Sequence, residues 1–441
     1  MYSAPPGRLA QDSAMHLETF VAPLLESLEQ RLDKRLVRTA LRTLHALVVF
    51  RHTRYGLFLS ELGAYILSAT HAPAGTKRLS NLLRSPKWRH TAIEDFLWEQ
   101  AETRVAALRA AGETALALWD SSVLEKPESR ALEGLGSVRS SKAARLSRIK
   151  PGFYRPPGPP VFVPGMQWLS VLVAGMAGAP VVACMRWWTN RGPLAALRET
   201  VERSLLFSCA ARFGREVIHV FDQGFAGGPW LGAMLEAEVR FVVRWQKKYA
   251  LVDATGRRPA WQIMRGKRSQ DTKRIRDARR RQERKMGIVV VPVRHPAYLD
   301  VPLWLVVSRP GKGRKPWYLL TNEPVPSPAE GWRILFIYAR RWQAEMAYRY
   351  GKTELAMESP RLWRWETRMK LLLLVTLVYA FLLTLVREEG EWVAALLRTY
   401  CPRTGERHRL AAVPLYRLRA ALSYLWCFFL APPPLLRRNS G

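Results

Sequence analysis

Two short apolar runs, each closed by an aspartate, constrain this chain most. TALALWD ends at Asp120 and EVIHVFD ends at Asp222. Runs of this length, bounded by polar or turn residues, read as buried β-strands. Each would deliver a carboxylate to the carboxyl end of its strand. A single strand-ending aspartate is ordinarily a helix cap or a turn residue, but two on similar strands restrict the arrangement far more. Between them, WLSVLVAG (168–175) and PVVACMRWW (180–188) form a hairpin pattern across 176–179, and PLAALRETVERSLLFSCAARF is an amphipathic helix. After Asp222 the Gly-rich turn GFAGGPW opens another helix.

The order is strand, strand, strand, helix, strand, helix. That is the order of a ribonuclease H-like core, where the first and fourth strands are neighbours and their terminal carboxylates meet. Further strands follow in VRFVVRWQKK (239–248), GIVVVPVRHP, LWLVVSRP and WYLLTNEP before helix resumes near Pro328. They make an all-β insertion. Two tracts resist assignment: the polar loop 121–164, and the irregular stretch 257–285 with thirteen basic and three acidic residues. The second is either a solvated charge run or an arm that contacts phosphates.

Charge decides which partners such a core meets. The 441 residues carry 69 Lys and Arg against 36 Asp and Glu, net +33. A field of that size attracts polyanions, nucleic acid first and anionic membrane second. The 48% hydrophobic content is ample for large buried cores in a multidomain globular chain. Cys184, Cys209, Cys401 and Cys427 are widely spaced without a CxxC, and the eight histidines show no paired ligand spacing. That argues against a disulfide framework and a thiol or imidazole metal site, and fits a reducing cytosol. The first residues lack the pattern of a secretion signal. The most apolar tract, LLLLVTLVYAFLLTLV at 371–386, has 16 residues. A spanning helix needs about 18 or more, so the tract is expected as a buried core helix, with no membrane partner.

From residue 16 to 111 the period is helical, with basic residues around Lys77, Arg78, Arg84 and Lys87. This reads as a compact helical DNA-binding domain of helix-turn-helix kind, or as a basic bundle without that role.

Near the carboxyl end, IYARRWQAEMAYRYGK (337–352) places Tyr338, Arg341, Glu345 and Lys352 at offsets of zero, three, seven and fourteen. On one α-helix they fall within an arc of about 60°. Such a stripe spans about 21 Å at about 1.5 Å per residue, too long for one small ligand. It is either a solvated face with an ordinary Arg341–Glu345 pair or the lining for an extended anion. Asp120, Asp222 and Glu345 would together supply three carboxylates. Hard oxygen ligands of that kind suit Mg²⁺, and two such ions about 4 Å apart support hydrolysis and transesterification of phosphodiesters.

The spacing Tyr, two residues, Arg, three residues, Glu, six residues, Lys resembles the signature of DDE transposases of insertion sequence family 4. Tyr338, Arg341, Glu345 and Lys352 match it without a gap. The stretch 317–352, WYLLTNEPVPSPAEGWRILFIYARRWQAEMAYRYGK, is similar to the same region of the Tn-five type enzymes through its LLTxEPV strand, the IY and the RW pair. The resemblance implies that Asp120, Asp222 and Glu345 are catalytic metal ligands for two Mg²⁺ ions, with Mn²⁺ as a substitute. It implies that Tyr338, Arg341 and Lys352 grip phosphates, and that Trp317 stacks on a flipped base during hairpin formation, with Trp342 beside it. For Trp317 a core position is the alternative, and for Trp342 packing between helices. Lys77 and Arg78 would add DNA contacts from the amino-terminal domain.

The implied protein is a cut-and-paste DNA transposase. It would act on inverted terminal repeats and target DNA as a homodimer in the synaptic complex, in the cytoplasm at the nucleoid. A domesticated DNA-binding relative and a ribonuclease H-fold structure-selective nuclease are the alternatives. The expected fold class is α/β: a ribonuclease H-like catalytic core interrupted by an all-β insertion, with an amino-terminal helical DNA-binding domain and carboxyl-terminal helices. The expected division is 1–112 helical, 113–238 first part of the core, 239–326 β-rich insertion, 327–386 second part of the core, and 387–441 helical.

Overall fold

The computed structural model describes residues 5–51, 56–129, 131–142, 160–277, 282–311, 315–401, 411 and 413–430. Five helices come first: α1 Pro6–Glu29, α2 Lys34–Val49, α3 Leu59–Ile66, α4 Ala72–Arg84 and α5 Thr91–Ala110. Asp33 caps α2, its Oδ1 accepting from the Arg35 and Leu36 amides at 2.9 and 3.0 Å. Helices α3 and α4 meet at glycines: a Cβ on Gly75 would lie 2.1 Å from the Gly63 carbonyl oxygen.

The centre is a mixed sheet. Its strands are β1 Leu116–Glu125, β2 Gly136–Arg139, β3 Phe162–Ala174, β4 Val181–Trp188, β5 Ile218–Phe221 and β6 Arg240–Arg244, then β7 Ala250–Asp253, β8 Gly256–Pro259, β9 Asp271–Asp277, β10 Gln282–His295, β11 Tyr298–Arg309 and β12 Tyr318–Thr321. Helices α6 Arg198–Phe213 and α7 Gly228–Glu236 flank β5, and the short α8 Ala260–Ile263 follows β8. The strand order is β2-β3-β1-β5-β6-β12-β11-β10-β7-β8, with β4 paired to β3 and β9 to β10. Strand β1 is antiparallel to β3 and parallel to β5, and β5 is parallel to β6.

Helices resume with α9 Pro328–Arg340, α10 Trp342–Thr353, α11 Trp365–Glu388, α12 Gly390–Tyr400 and α13 Leu415–Phe429. Ser327 starts α9 by accepting from the Ala329 amide at 3.2 Å, and Pro328 and Glu330 complete a capping sequence. The strands alternate their burial between two cores. Leu116, Leu118 and Leu124 of β1 join the apolar faces of α1–α4 and α9–α13, whereas Ala117 and Trp119 join those of α5–α7. The result is helices on both faces of one sheet.

Four expectations change. Strand β1 does not end at Asp120 but runs on to Glu125, so the loop expected at 121–164 starts later and contains β2; residues 143–159 lie outside the description. The continuous stripe at 337–352 is interrupted: α9 ends at Arg340 and α10 begins at Trp342. The stretch 257–285 is not irregular, because β9 pairs with β10 in register from Asp271↔Ile288 to Asp277↔Gln282; residues 278–281 lie outside the description. The apolar helix has 24 residues rather than 16, so length and composition alone would let it cross a membrane, yet 89% of its apolar window is buried inside the fold.

Candidate active site

Asp120 lies on the β1 face that meets α10, two residues beyond the last parallel pairing, Leu118↔Val220. Asp222 follows β5 directly and caps a short 3₁₀ turn, its Oδ1 accepting from the Gly224 amide at 2.7 Å. Glu345 occupies the first turn of α10 with its side chain half-exposed. Asp222 and Glu345 both lie near enough to Asp120 to act on its carboxyl. Burial pushes its carboxyl up to about 7, Asp222 and Glu345 add to the rise, and Arg341 and the Ser121 amide oppose it.

Arg341 offsets part of the acidic charge. Its Nη1 is 3.0 Å from Asp120 Oδ2 and its Nη2 is 3.8 Å from Glu345 Oε2. Burial weakens this guanidinium's hold on its proton, but Asp120, Tyr338 and Asp222 more than offset that. Its Nε is buried with no hydrogen-bond partner, and the buried Tyr338 hydroxyl faces Arg341 and Arg244. The Tyr338 ring lies 5.8 Å from the Arg341 guanidinium and 5.0 Å from the edge-on Trp317 ring. Trp317 is partly buried against the core. Tyr338 and Arg341 are therefore not a solvated face. Among the described residues, no three histidine, cysteine, aspartate or glutamate side chains are already arranged to hold a metal.

Lys352 stands apart from this group. Its Nζ donates to Ser122 Oγ at 3.0 Å and Ser141 Oγ at 3.4 Å and lies 3.9 Å from Glu358. It is linked to Asp120 through β1, because Ser122 is the next residue on the same face. Trp342 is 53% exposed, so packing between helices does not describe it. Lys77 and Arg78 are exposed on α4. Arg78 adds to the positive field around Arg42, whose guanidinium is weakened first by burial and then by Arg78 and Arg38.

Three participants escaped the sequence reading. Tyr348, buried on α10, donates its hydroxyl to the Asp120 carbonyl oxygen and ties β1 to the helix bearing Glu345. Its offset of three from Glu345 was a usable signal, because residues three apart share a helix face. Glu202 on α6 is a buried fourth carboxylate, held by Arg198 Nε at 2.6 Å; burial raises its pKa first and Asp222 further. Lys126, just after β1, is buried with its Nζ 2.6 Å from the Pro360 carbonyl oxygen. Alternation made neither of these last two visible. A Cβ on Gly351 would lie 2.9 Å from Trp168, so that glycine lets α10 lie close to β3.

No protein-family model matches the sequence, and no curated protein does. Among solved structures, the piggyBac transposase synaptic complex with hairpin DNA, determined by cryo-EM, aligns with 91% of this chain and 74% of its own at 13% identity and a TM-score of 0.42. At that score the likeness assigns no activity to this chain.

Proposed function

We propose that this chain is a DDE-type DNA transposase, which binds inverted terminal repeats, cuts DNA through end hairpins and joins the freed 3′-hydroxyls to target DNA. One observation carries this reading: Asp120 on β1 and Glu345 on α10 both pair with the largely buried guanidinium of Arg341, on which Asp222, at the end of the parallel neighbouring strand β5, also acts. The strand order β4-β3-β1-β5-β6, with only β1, β5 and β6 mutually parallel, is compatible with a ribonuclease H-like core that takes in β6, expected at the start of the insertion, and into which β7–β12 are inserted.

The donor set suits Mg²⁺ or Mn²⁺: three carboxylates offer the hard oxygens such cations take, and a cation beside the buried Asp120 would favour its charged form. Asp120, Asp222 and Glu345 would hold the metal. When bound, it would supply Lewis acidity for attack on a phosphodiester. Arg341 pairs with Asp120 and, once released by the metal, would grip a phosphate with Tyr338. Trp317, edge-on to Tyr338, would offer a face for a displaced base, and Lys352 would hold the strand beyond Ser122. A homodimer at the nucleoid would present two such sites to two DNA ends.

Glu345→Gln keeps the fold and removes one proposed ligand. With Mg²⁺ and labelled DNA from the borders of its own coding region, this variant should bind ends as the parent does and fail to cut them. Cutting at the parental rate would exclude the assignment.

A further inference from the structure

The basic tract between α8 and β10 is ordered into a two-stranded ribbon. Strand β9 pairs with residues 282–288 of β10, whereas β11 begins to pair with β10 only at Gly287↔Arg309. Among the described residues, positions 282–286 therefore have β9 as their only strand neighbour, and the hairpin projects past the end of β11. Directly paired residues of an antiparallel ribbon share a face. One face carries Lys273↔Met286 and Ile275↔Arg284. That face is partly covered: Ile275 and Met286 pack against the core, the exposed Lys273 lies 5.5 Å from the Trp332 ring, and Asp271 accepts from Trp332 Nε1 at 2.8 Å.

The other face carries Arg274↔Lys285 and Arg276↔Glu283, all four exposed, and Lys267 and Arg268 are exposed just before it. Three cations against one anion on a strip two strands wide suit a polyanion with regularly spaced charge. No described aromatic residue stands on this outer face to stack on unpaired bases, which favours duplex over single-stranded nucleic acid. Anchorage also matters. Trp332, which holds the ribbon, precedes Tyr338 by six residues on α9, about 9 Å along the axis.

We propose that Arg274, Arg276 and Lys285 form a phosphate-contacting ribbon that grips duplex DNA within a few base pairs of the candidate active site. This rests on the transposase reading, but it makes a separate prediction. In the full chain, Arg274→Ala/Arg276→Ala/Lys285→Ala should reduce the log–log salt slope of duplex binding by about 2.7, at about 0.9 per lost phosphate contact. An Arg274→Lys/Arg276→Lys chain should keep the parental slope. Thermal melting of both variants reports the fold.

The probe is a 40-base-pair duplex of arbitrary sequence, followed by fluorescence anisotropy across a salt series. An unchanged slope in the triple variant overturns the ribbon, even if Glu345→Gln abolishes cutting. A reduced slope together with undiminished cutting by Glu345→Gln leaves the ribbon standing and removes the catalytic reading. A parent chain that does not bind the duplex overturns both.

Discussion

Lys126 carries a pH signature that can be measured apart from any DNA chemistry. Burial lowers its ammonium from 10.5 to about 7, with Arg368 contributing and Glu358 opposing. Below pH 7 the amine is charged in folded and unfolded chains alike, and the penalty of burying it is fully present. Between about 7 and 10.5 the unfolded chain binds the extra proton, so stability rises with pH across that window, by an amount on the order of 5 kcal/mol. In Lys126→Met that rise should disappear. Urea midpoints of both chains at pH 7 and pH 9.5 test it, and parallel gains would refute it. Asp120 and Asp222 stand out in the sequence because each follows an apolar run, and Glu345 because of the spaced residues around it at 338–352. Lys126 and Tyr348 left no such signal, because their partners, at Pro360 and Asp120, lie on other elements; Glu202 pairs with Arg198 on its own helix and comes near Asp222 only in the folded chain.

Helix ends explain why the stripe at 337–352 is not continuous. No Gly or Pro lies between Tyr338 and Glu345, so nothing local stops the helix. At Arg341 the chain instead makes tight turns, with the Arg341 amide donating to Tyr338 and the Ala344 amide to Arg341, while the side chain reaches Asp120. A second arginine joins two other helix ends. Buried Arg419 of α13 donates to the Leu47 carbonyl at 2.8 Å and also to those of Phe50 and Glu354, at the carboxyl ends of α2 and α10. Arg419→Leu strands those carbonyls and should cost about 3 kcal/mol. Because Glu354 closes the helix of Glu345, amide exchange in α10 should quicken as well; unaltered exchange there would mean that α10 is held by other contacts.

At the level of the molecule, α11 passes through the core on the side of the sheet that bears Asp120. The cations near its amino end bond to carbonyls inside the fold. Arg368 Nη1 donates to the Leu362 carbonyl at 2.8 Å, and Lys370 Nζ to that of Ser85 at 2.9 Å. Folded this way, the chain should partition into the aqueous phase of a detergent phase separation; recovery in the detergent phase would mean that α11 is exposed to lipid. Hydrophobic period and apolar run length determined where most helices and strands lie, because those signals are local and repeat along the chain. The continuation of β1 past Asp120, the break at Arg341 and the β9–β10 ribbon depended on partners far away in sequence: β3 for the strand, Asp120 for the arginine and Trp332 for the ribbon. A local pattern carries no record of such partners, since pairing and burial are settled only when the layers close on one another.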